Sequence, residues 1–149
     1  MKSRLLGTSE GLRRFVVVLE TGDEVFGCLQ RFIAEAGISA AHFSAIGALQ
    51  STVLGYFDWE TRDYLKHKRE EQVEVASLTG DVALGPGSKP AIHIHTVLGR
   101  HDGTALAGHL FEGHVRPTLE IIISDAPVAL RKRIDAASGL ALIAPELCS

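Results

Sequence analysis

The sequence predicts one α+β domain over residues 1–149, with a mostly antiparallel β-sheet packed by one long helix and a short one. Three observations lead to this class. Most apolar residues lie in short runs rich in Val, Ile and Phe, or alternate with polar residues as strands do. One segment near the N-terminus repeats its apolar residues at helical spacing. No linker, repeat or low-complexity segment divides the 149 residues, a length that fits a single domain.

The first predicted elements are a strand and the long helix. The run RRFVVVLE, residues 13–20, is typical of a β-strand. In residues 21–37, the acidic pair Asp23-Glu24 favours a helix start and Gly37 favours its end. Between them, apolar residues recur at the spacing of one helix face: Val25, Phe26, Leu29, Phe32 and Ile33.

Strand candidates fill most of the remaining chain. Residues 40–49 and 51–59 form two adjacent strand-like runs, and residues 64–84 alternate as a strand pair with one wet face would. The segment GPGSKP, residues 85–90, predicts a loop. Further strands are expected at residues 91–99, 104–113, 118–125 and 139–143. The exception is PVALRKRID, residues 127–135, for which the short helix is expected.

Composition and charge exclude several classes of protein. With 46% hydrophobic and 22% charged residues, the chain is an ordinary globular sequence rather than a disordered one. Its net charge of −3 gives no general attraction to nucleic acid or to an anionic membrane. The basic clusters have acidic neighbours, and we expect them to be solvated faces. These clusters are Arg13-Arg14, residues 66–69 and residues 131–133.

The N-terminus and the cysteines predict a compartment. The first residues lack the apolar core of a signal peptide, and no apolar run reaches the length of a membrane span. Cys28 and Cys148 lie far apart and in no motif, which is typical of reduced, inert thiols. We therefore expect a cytoplasmic protein without membrane partners.

Histidine is concentrated in residues 93–114, which hold five of the seven histidines. His93 and His95 are two positions apart in a predicted strand, so both side chains point to the same face. The segment HDG, residues 101–103, favours a three-residue turn whose glycine takes the left-handed conformation. In the resulting register His95 lies directly opposite His109, while the apolar residues of the hairpin fall on the other face.

Three imidazoles on one face of a hairpin predict a divalent metal site formed by His93, His95 and His109. Zinc accepts three protein nitrogens and keeps a fourth position open for water or a ligand, so it suits this donor set best. The alternative is that backbone groups and water satisfy the three histidines separately.

Three other polar residues are weaker candidates. Glu120 alternates with apolar neighbours, which leaves two roles open. In the first, its side chain lies on the histidine side, where the carboxylate orients a ligand histidine or acts as a base toward a metal-bound water. In the second, it is a surface glutamate. His101 in the turn and His114 in the following loop are expected to be exposed to solvent.

Three segments resemble the PPC domain, the domain conserved in plants and prokaryotes. They are HIHTVLGRHDGTALAGHLFEGHVRPTLEIII (93–123), GALQSTVLGYFDWETRDY (47–64) and SLTGDVAL (77–84). The resemblance covers nearly the whole chain and implies a single α+β domain that assembles as a homotrimer. Prokaryotic members are described as DNA-binding proteins, and some hold a metal on histidines that match His93, His95 and His109. In plants the domain accompanies an AT-hook and mediates association among proteins.

The chain departs from the plant proteins because it has no R-G-R-P core of an AT-hook. Together with its acidic charge, this predicts that association with DNA is weak or indirect. Two functions remain open. The first is a trimeric, metal-bearing binding or regulatory module with DNA or protein partners. The second is a small metal-dependent, hydrolase-like enzyme that uses a water on the three-histidine metal. The first is favoured, since no convincing general base beyond Glu120 is visible.

Overall fold

Within residues 1–148, which the computed structural model describes, the chain forms nine strands and one α-helix. In chain order these are β1 (Lys2–Ser9), β2 (Leu12–Glu20), α1 (Val25–Ala36), β3 (Ala40–Asp58), β4 (Asp63–Arg69), β5 (Val73–Leu84), β6 (Pro90–Gly99), β7 (Ala105–Asp125), β8 (Lys132–Ile134) and β9 (Ala141–Ile143). A 3₁₀ turn at Pro145–Leu147 follows β9. The predicted class, a mostly antiparallel sheet with a helix, is confirmed.

Strands β1 to β7 form one antiparallel sheet in the order β1-β2-β7-β6-β5-β3-β4, and β7 also pairs with β3. The two longest strands, β3 of 19 residues and β7 of 21 residues, change partners along their length. β3 pairs first with β5 and then with β4, while β7 pairs first with β6 and then with β2. Because β7 pairs with both β6 and β3, the strands β3, β5, β6 and β7 close into a barrel-like ring.

The hydrophobic core lies between the curved sheet and α1. The Glu24 carboxylate caps the helix by accepting hydrogen bonds from the N–H groups of Phe26 (3.1 Å) and Gly27 (2.7 Å). Gly37 ends the helix with a left-handed φ of 62°. The face buried against β6 and β7 carries Val25, Cys28, Leu29, Phe32 and Ile33. The start, end and buried face of the long helix were all readable from its sequence pattern, apart from Phe26, which is only partly buried.

The short helix predicted at residues 127–135 is wrong. Lys132–Ile134 form β8, which pairs antiparallel with β9. Just before β8, the carbonyl of Leu130 accepts a hydrogen bond from the N–H of Leu84 at 2.8 Å. The backbone groups of this segment are therefore paired with β5 and β9. A helix of nine residues has too few internal hydrogen bonds to compete with such tertiary pairing.

Two pairs of predicted strands are each one continuous strand. Residues 40–49 and 51–59 belong to β3, and residues 104–113 and 118–125 belong to β7. The ladder between β3 and β7 has three register shifts. A bulge inserts an extra residue and bends a strand without ending it, so the apolar alternation breaks while the strand continues. Strand β1 carries no sequence signal, because all of its residues are exposed.

Residues 1–148 contain neither a disulfide bond nor a helix of membrane-spanning type. Cys28 and Cys148 are both free, and Cys28 is buried on α1. No helix in this part of the chain is both long enough and apolar enough to cross a bilayer.

Candidate metal centre

The hairpin of β6 and β7 has the predicted turn and register. At the turn, Arg100 N–H donates to the Thr104 carbonyl (2.8 Å), and Gly103 has a left-handed φ of 82°. Gly103 therefore supplies the conformation that a bulged three-residue turn requires. The strands then pair without a shift up to His95, which lies directly opposite His109.

The side chains of His93, His95 and His109 converge on one point. The ring centroids are 4.9 Å apart for His93 and His95, 5.2 Å for His93 and His109, and 5.5 Å for His95 and His109. One potential ligand atom from each residue lies within 4.8 Å of the other two. Ile94 and Leu110 of the same hairpin, each next to a histidine in sequence, are fully buried in the core. The packing of these two residues fixes the face on which the histidines stand.

His109 has a buried ring nitrogen that its protein neighbours leave unsatisfied. Its Nδ1 is buried and has no hydrogen-bond partner among the described residues. Burial, with smaller contributions from His93, His95 and Lys132, lowers the pKa of His109 to about 4. The ring is therefore neutral near pH 7 and can offer a lone pair. A buried polar atom without a partner costs on the order of 1–3 kcal/mol, and a metal ion would satisfy it.

His93 is oriented by a carboxylate that sequence reasoning missed. Its Nδ1–H donates to Asp81 Oδ2 at 3.1 Å, which leaves Nε2 free for a metal ion. The other oxygen, Asp81 Oδ1, lies 3.0 Å from the ammonium of Lys132 but accepts no well-aligned hydrogen bond from the described residues. Burial opposes ionisation of Asp81, but the hydrogen bond from His93 and the charge of Lys132 outweigh it and lower its pKa.

His95 stands at the open side of the cluster. Its side chain is exposed, in contrast to the partly buried His93 and His109. Loss of solvent on one side of the ring, together with the neighbouring His93, lowers the pKa of His95. The exposed edge offers a route by which an ion reaches the three nitrogens.

Two aromatic rings pack against His109, and nearby glycines allow this close packing. Phe111 and Tyr64 pack on its ring, with centroid distances of 4.7 Å and 5.1 Å. A Cβ on Gly55 would lie 2.3 Å from the Phe111 ring, so glycine is required for the aromatic residues to approach β3. A second close approach occurs at Gly80, where a Cβ would lie 2.5 Å from the carbonyl oxygen of His93. Both glycines therefore help to set the position of the histidines.

A cleft of about 620 Å³ opens beside the histidines, between the barrel and the β8–β9 hairpin. Its polar residues are the three histidines, Asp81, Tyr64 and Lys132, and the rest of its wall is apolar. Lys132 belongs to a basic cluster for which a solvated face is predicted. That prediction is wrong for Lys132, whose side chain is only 7% exposed. A smaller groove of about 330 Å³ lies on the other side of His93 and His95 and includes His42.

Comparison with known proteins gives the family. The model of the Plants and Prokaryotes Conserved (PCC) domain matches residues 6–127. The chain belongs to the PCC domain family. The resemblance seen in the sequence, to the domain also called PPC, is thereby confirmed. A search of curated proteins finds no match.

Three solved structures show the PCC fold of this chain. A metal-containing protein from Archaeoglobus fulgidus is 38% identical, with a TM-score of 0.81 over 88% of this chain and 92% of its own. A protein provisionally described as DNA-binding, from Bacteroides thetaiotaomicron, is 27% identical, with a TM-score of 0.85 over 89% and 92%. A plant- and prokaryote-conserved protein from Pyrococcus horikoshii is 29% identical, with a TM-score of 0.82 over 89% and 91%.

The PCC domain does not bring the weaker candidates to the histidine cluster. Glu120 lies on β7, eleven positions beyond His109, which is a contour length of roughly 35 Å. It is exposed and lines a separate groove with Ile46 and Glu74. Of its two open roles, the structure therefore supports the surface glutamate, and Asp81 is the carboxylate beside the histidines.

The two remaining histidines of the stretch also lie outside the cluster. His101 is exposed in the turn, as predicted. His114 is part of β7 rather than of a loop, and it is only partly exposed. Its Nε2–H donates to Glu112 Oε1 at 2.9 Å. Neither residue contributes to the group of potential ligand atoms.

A sequence signal for Asp81 does exist. The loop between β5 and β6 pairs Leu84 with Pro90, and this register places Asp81 directly opposite His93. The predicted loop, residues 85–90, is one residue longer than the observed one, because Pro90 belongs to β6. A loop of that length would pair Asp81 with Ile94 instead of His93, so the correct length is needed to locate Asp81. No comparable signal exists for Lys132, which reaches the site from a separate hairpin.

Proposed function

We propose that this PCC-domain protein is a trimeric binding module that holds one divalent metal ion per chain on His93, His95 and His109. The observation that carries the metal site is the convergence of three imidazoles, one of them with a buried and unpartnered Nδ1. Three neutral nitrogens suit zinc best among the common divalent ions. The relative from Archaeoglobus fulgidus, named as a metal-containing protein, supports the presence of a metal in this fold.

The experiment is elemental analysis of the purified protein after gel filtration at neutral pH. We expect about one zinc ion per chain in the wild type and none in His95→Ala, because His95 pairs directly with His109 and touches His93. The matched control is His114→Ala. His114 lies on β7 like His109, but its side chain bonds to Glu112 instead of joining the cluster, so we expect this variant to retain the wild-type zinc content. Equal content in all three proteins, or no metal in any, would contradict the proposal.

The trimeric state is supported by apolar side chains that one chain leaves uncovered. Leu5, Leu6 and Leu12 on the β1–β2 hairpin are about half exposed, at 49%, 53% and 51%. Leu6 and Leu12 line a groove of about 510 Å³. Contiguous apolar surface of this kind is typical of a protein interface. The number of three subunits follows from the family resemblance.

We further propose that association with DNA is weak or indirect. Two structural relatives are provisionally described as DNA-binding proteins, which supports a link to nucleic acid. The net charge of −3 opposes direct binding to a phosphate backbone. A protein partner that connects the module to DNA is compatible with both observations.

A second candidate, a small metal-dependent hydrolase-like enzyme, is favoured by the cleft beside the histidines. A divalent ion in the site would supply a Lewis acid. The cleft is large enough for a small substrate, and Asp81 would keep the His93 ring in a fixed orientation. However, Asp81 is the one carboxylate among the described residues that line this cleft, and it is already bound to His93 and Lys132. The lack of a free base makes the binding module the better supported function.

A further inference from the structure

The buried ammonium of Lys132 is a feature that metal binding does not explain. Its side chain is 7% exposed, and its partner is Asp81, at 3.0 Å. Asp81 also accepts the hydrogen bond from His93, so its single negative charge serves both neighbours. Lys132 and His109 line the same cleft. Since the negative charge of Asp81 balances the positive charge of Lys132, these two residues together contribute no net charge to the site.

This balance determines which ligand the site prefers. Histidines that bind a metal do so as neutral rings, so they leave the two positive charges of a divalent ion uncompensated. An uncompensated charge in a partly buried site is costly. An anion at the open coordination position would reduce this cost. Although Asp81 balances its charge, the Lys132 ammonium has three N–H donors and can donate a hydrogen bond to an anion in the same cleft.

The volume and lining of the cleft indicate the size and polarity of the part of the ligand beyond its anionic group. Its volume of about 620 Å³ is within the range of small-molecule sites. Apart from the histidines, Asp81, Lys132 and Tyr64, the lining is apolar and includes Phe57, Ala91, Ile92, Leu140, Leu142 and Ile143. Lys132 is the one Lys or Arg among the described residues that line the cleft, so the cleft lacks the several charged donors that the oxygens of a phosphate require, and a carboxylate suits it better. The cleft is therefore complementary to a molecule with one anionic group and an apolar body.

One side of this ligand site is formed by a part of the chain outside the matched family region. The family model ends at residue 127, whereas Lys132 lies on β8 and Leu142 and Ile143 lie on β9. The β8–β9 hairpin thus adds both the cation and one apolar wall to the histidine cluster.

We propose that the cleft binds a small apolar carboxylate, with its carboxylate at the histidine and Lys132 end and its apolar body against Leu142 and Ile143. The inference rests on the proposed metal site, because the attraction for the anion comes mainly from the metal ion.

The test uses the full chain loaded with Co²⁺, whose visible absorption changes when a ligand joins its coordination sphere. The cobalt content is first measured, and the protein is then titrated with hexanoate, acetate and uncharged hexanol. We expect hexanoate to change the spectrum and to bind at least tenfold more tightly than acetate, and hexanol to have no effect. A spectrum that hexanoate leaves unchanged, with one cobalt ion per chain bound, would overturn the inference while the metal site stands. Failure to retain cobalt would overturn both.

Variants separate the two ends of the ligand. Leu142 is 48% exposed, so Leu142→Ser should fold normally, and we expect it to weaken hexanoate tenfold or more while acetate is unaffected. The matched control is Ile134→Ser on the same hairpin, at a 54% exposed residue that does not line the cleft, and it should behave as the wild type. Lys132→Met should weaken both carboxylates by at least tenfold. Unchanged hexanoate binding in both Leu142→Ser and Lys132→Met would show that the ligand lies elsewhere.

Discussion

At the scale of single residues, the proposed metal site depends on a series of contacts that runs from His93 through Asp81 to Lys132. Asp81 determines which nitrogen of His93 faces the cluster, and Lys132 keeps Asp81 ionised in a partly buried place. Carboxylates behind ligand histidines typically contribute a factor of about 10–100 to metal affinity. In the proposed site, the metal affinity of the histidines would therefore depend also on residues that do not contact the ion.

The first prediction separates Asp81 from the carboxylate that the sequence suggested. We expect Asp81→Asn to lower zinc affinity roughly 10–100-fold, because an amide no longer attracts the Nδ1–H of His93 by its charge. Glu120→Gln is the matched control and should have wild-type affinity, since Glu120 lies in a different groove. The measurement is competition with a chromophoric chelator. A loss of affinity in Glu120→Gln and none in Asp81→Asn would contradict the assignment.

The second prediction concerns the pH dependence of folding in the metal-free protein. The pKa of His109 is about 4 in the folded chain, against 6.5 for an ordinary histidine. Between these values the unfolded state binds a proton that the folded state does not. The contribution of His109 to the free energy of unfolding is therefore fully present above about pH 6.5 and is lost as the pH falls toward 4. Because the ring is only partly buried, we expect a loss of about 1–3 kcal/mol.

The measurement is urea unfolding of chelator-treated protein between pH 7 and pH 4.5. His109→Phe should show a smaller loss, because phenylalanine suits the neighbouring Tyr64 and Phe111 and does not titrate. His101→Gln, at an exposed turn residue, should keep the full loss. The same slope in all three proteins would mean that His109 is not the group responsible.

At the scale of elements, the β5–β6 and β6–β7 pairings bring the site together, and both need close approach of strands. Gly80 on β5 lies opposite Ile94, and a side chain there would meet both the His93 carbonyl and the Phe43 ring. The position of His93 thus depends on a residue that has no side chain of its own.

The third prediction follows from this contact. A Cβ at position 80 would lie 2.3 Å from Phe43 Cζ and 2.5 Å from the carbonyl oxygen of His93. We expect Gly80→Ala to lower the free energy of unfolding by about 1–3 kcal/mol, as overpacking of a core does, and to reduce zinc retention by moving β6. Gly87→Ala is the control, since a Cβ there meets no atom within 4 Å. Equal unfolding midpoints and metal contents for the two variants would refute the role of Gly80.

At the scale of the whole molecule, the exposed leucines of the β1–β2 hairpin predict self-association. The chain has a mass of 16.0 kDa, so a trimer has a mass of about 48 kDa. We expect light scattering at micromolar concentration to give this value. A mass near 16 kDa would exclude the trimer.

The net charge leads to the last prediction. A net charge of −3 repels the DNA polyanion, so any binding must come from local basic side chains that neutralise phosphates and release counterions. We therefore expect binding to duplex DNA to be weaker than about 10⁻⁸ M at physiological salt and to fall steeply as salt is raised. Fluorescence anisotropy at several salt concentrations measures both quantities. Tighter binding that is insensitive to salt would show that the charge argument is wrong.

Features that depend on local geometry could be predicted from the amino-acid sequence alone. The ends of α1 follow from Glu24 and Gly37, and the pairing of His95 with His109 follows from a three-residue turn and the two-residue period of a strand. In these cases the residues involved are close in sequence, so few alternative arrangements compete.

How distant segments meet could be learned only from the folded chain. The register shifts between β3 and β7, the hydrogen bond from Leu84 to Leu130 and the burial of Lys132 beside Asp81 all depend on partners far along the chain. The local sequence pattern does not contain this information. A lysine within a basic run has the same neighbours in sequence whether its ammonium is solvated or paired with Asp81. The three histidines could therefore be found by reading the sequence, whereas the charge balance and the cleft around them appear only when β5, β6, β7 and the β8–β9 hairpin are brought together by folding.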